Sequence, residues 1–376
     1  MRQSIYLDCN ASTPLRPVAQ AAMVEALAGA GNPSSVHRYG RLARRIVEDA
    51  RELVAMLVGA APRQVVFTSG ATEANNWAMG GTGRPRRLAG ATEHQSVLAT
   101  ATGNEIVPVD GDGIVDLAAL ETMLAADDRP AIVALQLANN ETGVVQPVAE
   151  AACIAHAAGA LLHCDAVQAV GRIPVEFGAL GADLMSVSAH KIGGPQGAGA
   201  LVIADGIATV AMQRGGGQEF GRRAGTENVP AIAGFGAAAA DLRKGGSDEA
   251  AKLASLRDRL ESGIRRIAPG ATILGSKATR VPNTVCVAAT GTANDVQVMA
   301  LDLAGIAVSA GAACSSGKVG RSHVLSAMGV SPSLAGSAIR VSVGWHNEAA
   351  DIDRFLDAWR PLAWREEKSS AAAPAA

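Results

Sequence analysis

The sequence contains no run of like charges, no CxxC pair and no apolar window of the roughly 18 residues that a membrane-spanning helix needs. Its 33 lysines and arginines against 35 aspartates and glutamates leave a formal charge of -2. That balance argues against a nucleic-acid or membrane-surface partner and favours small-molecule chemistry. The opening segment MRQSIYLDCN lacks the apolar core of a secretory signal, so a soluble, cytoplasmic protein is expected. Five cysteines, an odd count without paired spacing, signal neither a disulfide framework nor a structural zinc site. They leave room for a working thiol.

What is present points to an α/β protein. At 376 residues and 48% hydrophobic, the chain is long enough for two domains. Between residues 14 and 240, short β-branched runs pass through Gly/Ser/Asn/Asp turns into Ala-rich helical stretches. Strands are expected at 65–68, 132–137, 160–164 and 184–188, each apolar enough for a mainly parallel sheet covered by helices on both faces. Polar residues cluster just beyond their C-terminal ends, where ligands sit in open α/β sheets. A compositional break at RKGGSDEA, residues 243–250, suggests a boundary, with an amphipathic helix starting near Glu249. The expected organisation is a large domain over 14–245 and a smaller α+β domain from 1–13 and 246–366. In the smaller domain, strands are expected at 283–288 and 338–343, a helix after Asp295 and a short helix up to Gly329. Residues 367–376 are expected to form a disordered tail.

Several segments carry chemistry. SVSAHKIGGPQGAG brings Ser188, His190 and Lys191 to the end of a strand. A lysine there can form a Schiff base with an aldehyde cofactor, beside groups able to hold a phosphate, or it can be a surface lysine. In HCDAVQAVG, Asp165 ends an apolar strand and Gln168 follows three residues later, on one face if a helix starts there. The carboxylate suits a protonated pyridine nitrogen, and a helix cap is the alternative. VVFTSGATEANN turns from strand to helix at Ala71 and Thr72, which suits a phosphate at a helix N-terminus. In AIRVSVG, Ile339, Val341 and Val343 alternate onto a core face and turn Arg340 to the other side, where it can fork onto a carboxylate or pair on the surface. Cys314 lies in a run of small residues, AGAACSSGKVG, of an exposed type, unlike Cys153, Cys164 and Cys286 in apolar stretches.

Together with YLDCNASTP, NPSSVHRYGR, ATEHQSVL, ANNETGVVQP, GGGQEFGRRAGTEN and SHVLSAMG, these segments resemble, in order and over nearly the whole chain, the NifS-like cysteine desulfurases. These belong to the class-V aminotransferase branch of fold-type I pyridoxal-phosphate enzymes. The resemblance implies that Lys191 carries pyridoxal 5'-phosphate, Asp165 pairs with its ring nitrogen, Gln168 contacts the phenolic oxygen and His94 stacks on the ring and shuttles protons. Ala71, Thr72, Ser188 and His190 then hold the phosphate, joined by Thr226 from the partner subunit of a homodimer. Asn140 contacts cofactor and substrate, and Arg340 anchors the substrate carboxylate.

Cys314 takes the sulfur of L-cysteine as a persulfide and passes it to an iron-sulfur scaffold or another acceptor protein, the amino acid leaving as L-alanine. No resident metal is implied, although Cys314 is also a candidate transient ligand of an iron-sulfur species. Cys9 and Ser12 stand where the family more often has Asn and Thr, and Ala71 where a second glycine is common. Cys9 is therefore a candidate second thiol. A selenocysteine lyase or another class-V lyase or aminotransferase would share the cofactor residues, and a docking platform with lost catalysis would show damage to them, of which there is none.

Overall fold

The computed structural model describes residues 4–29, 31–101, 105–311 and 321–363. Its largest sheet has seven strands in the order Val65–Thr68, Gly199–Ile203, Leu184–Ser188, Leu161–Asp165, Ala131–Gln136, Arg86–Gly90 and Ile106–Val107. Six of these run in one direction and Gly199–Ile203 alone runs against them. The short connection from Leu184–Ser188 explains the exception, since only a long crossover returns a chain parallel. The expected strands at 65–68 and 184–188 fall on those residues, and the other two within one residue of Ala131–Gln136 and Leu161–Asp165. The architecture is the expected mainly parallel α/β sheet, although the edge strand Val65–Thr68 has the reversed strand as its one neighbour in the sheet.

Side-chain alternation sorts the strands between two cores. Val65, Phe67, Val133, Leu135, Met185 and Val187 face one apolar cluster, with helices Arg38–Leu57 and Val229–Ile267 packed on it. Val66, Ile132, Ala134 and Leu184 face the other, under helix Ala71–Gly81. On this second face the residues turn polar toward the strands' C-terminal ends. Gln136, His163, Asp165, Ser186 and Ser188 all lie there and are all buried. The register places Gln136 beside Asp165 and Asp165 beside Ser186.

A four-stranded antiparallel sheet, in the order Ser309–Ala310, Ala338–Ser342, Thr284–Ala288, Thr272–Ile273, packs over a separate apolar cluster with helix Ala349–Ala363. Helices Asn294–Leu303 and His323–Ala327 occupy the places expected of them.

The helix expected to start near Glu249 instead runs unbroken through residues 243–250. Val229–Ile267 is one continuous helix of 39 residues. Glycines 245 and 246 cost it about 1 kcal/mol each in propensity. Packing offsets this cost, because Leu242 is held in the large-sheet core while Leu253, Leu256, Leu260 and Ile264 are held in the small-sheet core. Arg16 also bridges the stretch, pairing with Asp241 at 2.8 Å and Glu249 at 2.7 Å on either side of the glycines.

Candidate active site

The C-terminal ends of the large-sheet strands open into a cavity of about 510 Å³, a volume suited to a cofactor-sized ligand. Ala71, Thr72, His94, Asn140, Asp165, Gln168, Ser188, His190, Lys191 and Arg340 all line it. Ten of the residues singled out in the sequence thus meet in one place, from segments up to 270 positions apart. Thr226 is exposed and does not line it. Cys314 lies outside the described residues.

At the centre, the Lys191 Nζ donates to the carbonyl oxygens of Asn10 at 2.5 Å and Ala11 at 2.8 Å. His190, one residue earlier, sets its Nδ1 3.3 Å from the Ser12 hydroxyl. Burial, with Lys191 and Arg172 nearby, pushes the His190 imidazole down to about 4, so it is neutral near neutral pH. The Ser188 hydroxyl is buried and has no protein partner, a donor and acceptor left for a ligand. Across from it, helix Ala71–Gly81 opens on the cavity, and a Cβ added at Gly70 would meet nothing within 4 Å. The first amides of this helix and the positive end of its dipole face that space.

Asp165 is held on both oxygens. Oδ1 accepts from the Val167 amide at 3.0 Å and Oδ2 from the Asn75 side chain at 2.7 Å. Gln168 donates to the Asn10 carbonyl at 3.0 Å, and its own side-chain oxygen accepts from Arg172. His94 caps helix Gln95–Leu98, with its Nδ1 accepting from the Ser96 amide at 3.1 Å and lying 2.7 Å from the Ser96 hydroxyl. Burial lowers the His94 pKa; Lys191 and His323 add to this and Asp165 opposes it. A neutral ring with Nδ1 occupied as acceptor carries its proton on Nε2.

Arg340 is not a surface arginine. It is 2% exposed, pairs with Asp8 at 2.7 Å and donates to the Asn140 carbonyl at 3.0 Å, with its Nε buried and unpartnered. Ile339, Val341 and Val343 pack in the small-sheet core on the opposite face, so the alternation read from the sequence positions the guanidinium at the cavity. Asp8 also accepts from Ser309 at 2.7 Å, tying this corner to the start of the segment that leads to Cys314.

The other cysteines sort by burial. Cys9 is 1% exposed and its thiol is pushed up to about 12 by burial, which removes it as a second nucleophile. Cys164 and Cys286 are buried as expected. Cys153 is exposed, contrary to the reading of its apolar surroundings, because helix Val148–Ala157 turns Ala151, Ala152 and Ala155 inward and Cys153 away.

Sequence reasoning passed over Asn10, Asn75, Ser96, Asp8 and Glu141. Glu141 follows Asn140 and is 2% exposed, accepting from Ser322 at 2.6 Å. Burial raises its carboxyl to about 7 against the ordinary 4.5, opposed by Ser322 and Arg340. A carboxyl raised in the folded state favours folding while protonated, and that stabilisation is lost as pH climbs from 4.5 through about 7. Glu141→Gln keeps the Ser322 bond without titrating. Relative to the parent protein it should therefore gain on the order of 3 kcal/mol between pH 5 and pH 8 in denaturant unfolding. The same difference at both pH values would show that Glu141 ionises freely.

Comparison with known proteins places this site in a family. Residues 5–355 match the family model described as "Aminotransferase class-V". A curated cysteine desulfurase of Cereibacter sphaeroides is 45% identical, with 96% of each chain covered. An IscS-like cysteine desulfurase of Mycobacterium tuberculosis is 37% identical over 99% of each. The X-ray structure of a NifS-like protein from Rickettsia africae superposes with a TM-score of 0.90 at 36% identity, covering 96% of this chain and 99% of that one. With the match spanning both sheets and every strand that feeds the cavity, the chain belongs to the class-V aminotransferase family.

Proposed function

We propose that this chain is a pyridoxal-phosphate-dependent cysteine desulfurase, converting L-cysteine to L-alanine and holding the sulfur as a persulfide on Cys314. The observation that carries the reading is the convergence of the Lys191 amine, the Asp165 carboxylate, the His94 ring, the free Ser188 hydroxyl and the Arg340 guanidinium on one cavity. Relatives sharing 37–45% of their residues with the chain over nearly its full length carry the name cysteine desulfurase, and proteins of this family generally depend on pyridoxal phosphate.

The residues fit that cofactor. An unpartnered buried hydroxyl at Ser188 and a helix N-terminus at Ala71 and Thr72 suit its phosphate, joined by His190. Asp165, buried and fixed on both oxygens, suits a cationic ring nitrogen; Gln168 suits the phenolic oxygen; and Lys191 suits the aldehyde. Bound there, pyridoxal phosphate would supply a protonated ring that draws electron density from the substrate's Cα.

The chain's own groups would then divide the work. Arg340 and Asn140 would hold the substrate carboxylate, the unpartnered Nε offering one of two parallel donors. Lys191 Nζ would take the Cα proton, and His94, neutral with a proton on Nε2, could hold or release a proton beside it. The Cys314 thiolate would attack the substrate sulfur. The Cβ–S bond breaks with its electron pair staying on carbon, which takes a proton to become the methyl of alanine, while an S–S bond forms at Cys314. Sulfur is oxidised as carbon is reduced, so no outside oxidant is needed.

The two apolar cores support a division into a domain over 14–245 and a second from 1–13 and 246–366. Among the described residues no helix is long and apolar enough to cross a membrane. The chain would act as a cytoplasmic homodimer in which Thr226, exposed and away from its own cavity, reaches the partner's. The persulfide would pass to an iron-sulfur scaffold or similar acceptor.

The test is to incubate the yellow holoprotein with L-cysteine and quantify products. Alanine and sulfide in equal amounts under a thiol reductant are expected. Turnover with selenocysteine alone, or an oxo acid in place of alanine, would favour the lyase or the aminotransferase instead.

A further inference from the structure

One side-chain amide sits between the groups assigned to the two sides of the cofactor ring. Asn75 is 1% exposed on helix Ala71–Gly81, on the polar patch of the sheet. Its Nδ2 donates to Asp165 Oδ2 at 2.7 Å and to the Ser96 hydroxyl at 2.9 Å. Its Oδ1 lies 2.9 Å from His163 Nε2. The Ser96 hydroxyl, having accepted from Asn75, is 2.7 Å from His94 Nδ1 and has its own proton to give there.

Both donors of this amide and one acceptor position are thereby engaged. A flipped amide would set its oxygen against the Asp165 carboxylate, and the His163 N–H holds the oxygen on the other side. His163 is wholly buried, and burial takes its pKa down to about 4, so near neutral pH it has one ring N–H to donate. The neutral imidazole makes its hydrogen bond to Asn75 and not to Asp165, so the hydrogen-bonded route from one to the other runs through that amide.

We infer that Asn75, held in one orientation by His163, is a positioning residue that aligns Asp165 with the cofactor's ring nitrogen and, through the Ser96 hydroxyl, reinforces the His94 tautomer that the Ser96 amide already favours. The inference rests on the reading of Asp165 as partner of that nitrogen. An Asp165 without its Asn75 donor is free to rotate about the Val167 amide, the one hydrogen bond left to it. The ring nitrogen then shares its proton less well, and a ring that has lost it no longer disfavours a proton on the lysine-linked nitrogen.

The experiment strips the holoprotein of cofactor and titrates pyridoxal phosphate back into the parent, Asn75→Leu, His163→Leu and the double variant. It reads the dissociation constant and the pH at which the bound cofactor changes colour. For Asn75→Leu, affinity should fall roughly ten- to a hundredfold, the worth of a hydrogen bond to a charged group. The colour transition should move up by about one pH unit. His163→Leu should shift both in the same direction by less, and add little on top of Asn75→Leu, because its hydrogen bond reaches Asp165 through that amide. Asn75→Ser, smaller and still polar but too short to reach Asp165, is the second variant should the leucine not fold, with the same shifts expected. An Asn75 variant with parental affinity and colour transition, or a His163→Leu effect that adds in full, would overturn the inference. A parent protein that does not bind pyridoxal phosphate at all would overturn the functional reading and this inference together.

Discussion

Lys191→Ala should lower the conversion of cysteine to alanine by at least about 10⁴-fold, the upper range for loss of a positioned proton carrier, with further loss from the missing covalent hold. Among the described residues that line the cavity, Lys191 alone carries a primary amine, so His94 could move a proton there but could not take over the covalent hold. His190 is pushed down to about 4 by burial and sits against Ser12. The fold should survive, because Lys191 is only half-buried and what it leaves behind are two backbone carbonyls at the cavity wall, Asn10 and Ala11, which water can reach. Borohydride treatment provides a readout independent of turnover. The parent should retain the reduced pyridoxyl group through denaturation, and the variant should lose it. A variant that keeps the group covalently would mean that another amine carries the cofactor.

The distribution of polar residues over the large sheet explains why so much was legible in advance. Its strands are short β-branched runs that stop where Ser, Asp and Gly begin. Those stops are the mouth of the site, so Asp165, Ser188 and Lys191 could be placed by position alone. Arg340 could be placed by parity, since its neighbours Ile339 and Val341 had to face a core. The glycines at 245 and 246 misled because local propensity was outweighed by two cores and the Arg16 bridge, which join residues more than 200 positions apart.

Asn75 and Asp8 stayed hidden for a related reason. Their partners, Asp165 and Arg340, lie on other elements, and no spacing in the chain encodes a hydrogen bond between residues 75 and 165. One signal for Asn75 was available. It shares the buried side of its helix with Ala74, Ala78 and Met79, and an amide on an apolar stripe needs a partner to be buried.

Cys314 carries the largest claim after Lys191, and the case for its role is chemical. Cys164 and Cys286 are buried with thiols raised by burial, Cys9 is sealed and raised to about 12, and Cys153 is exposed on helix Val148–Ala157 rather than among the residues lining the cavity. None of these four thiols can meet a substrate sulfur at Lys191, and Cys314 alone remains. Its removal should leave cofactor binding intact and stop sulfur transfer, because Cys314 belongs to none of the groups that fit the phosphate or the ring. The most direct measurement is therefore to supply L-cysteine and a thiol reductant to the parent holoprotein and to Cys314→Ala, and to follow alanine and sulfide together. The account predicts equal alanine and sulfide from the parent, and a variant that stays yellow while releasing neither above roughly 1% of the parental rate, as expected when an essential nucleophile is lost. Sulfide released by Cys314→Ala at the parental rate would contradict it.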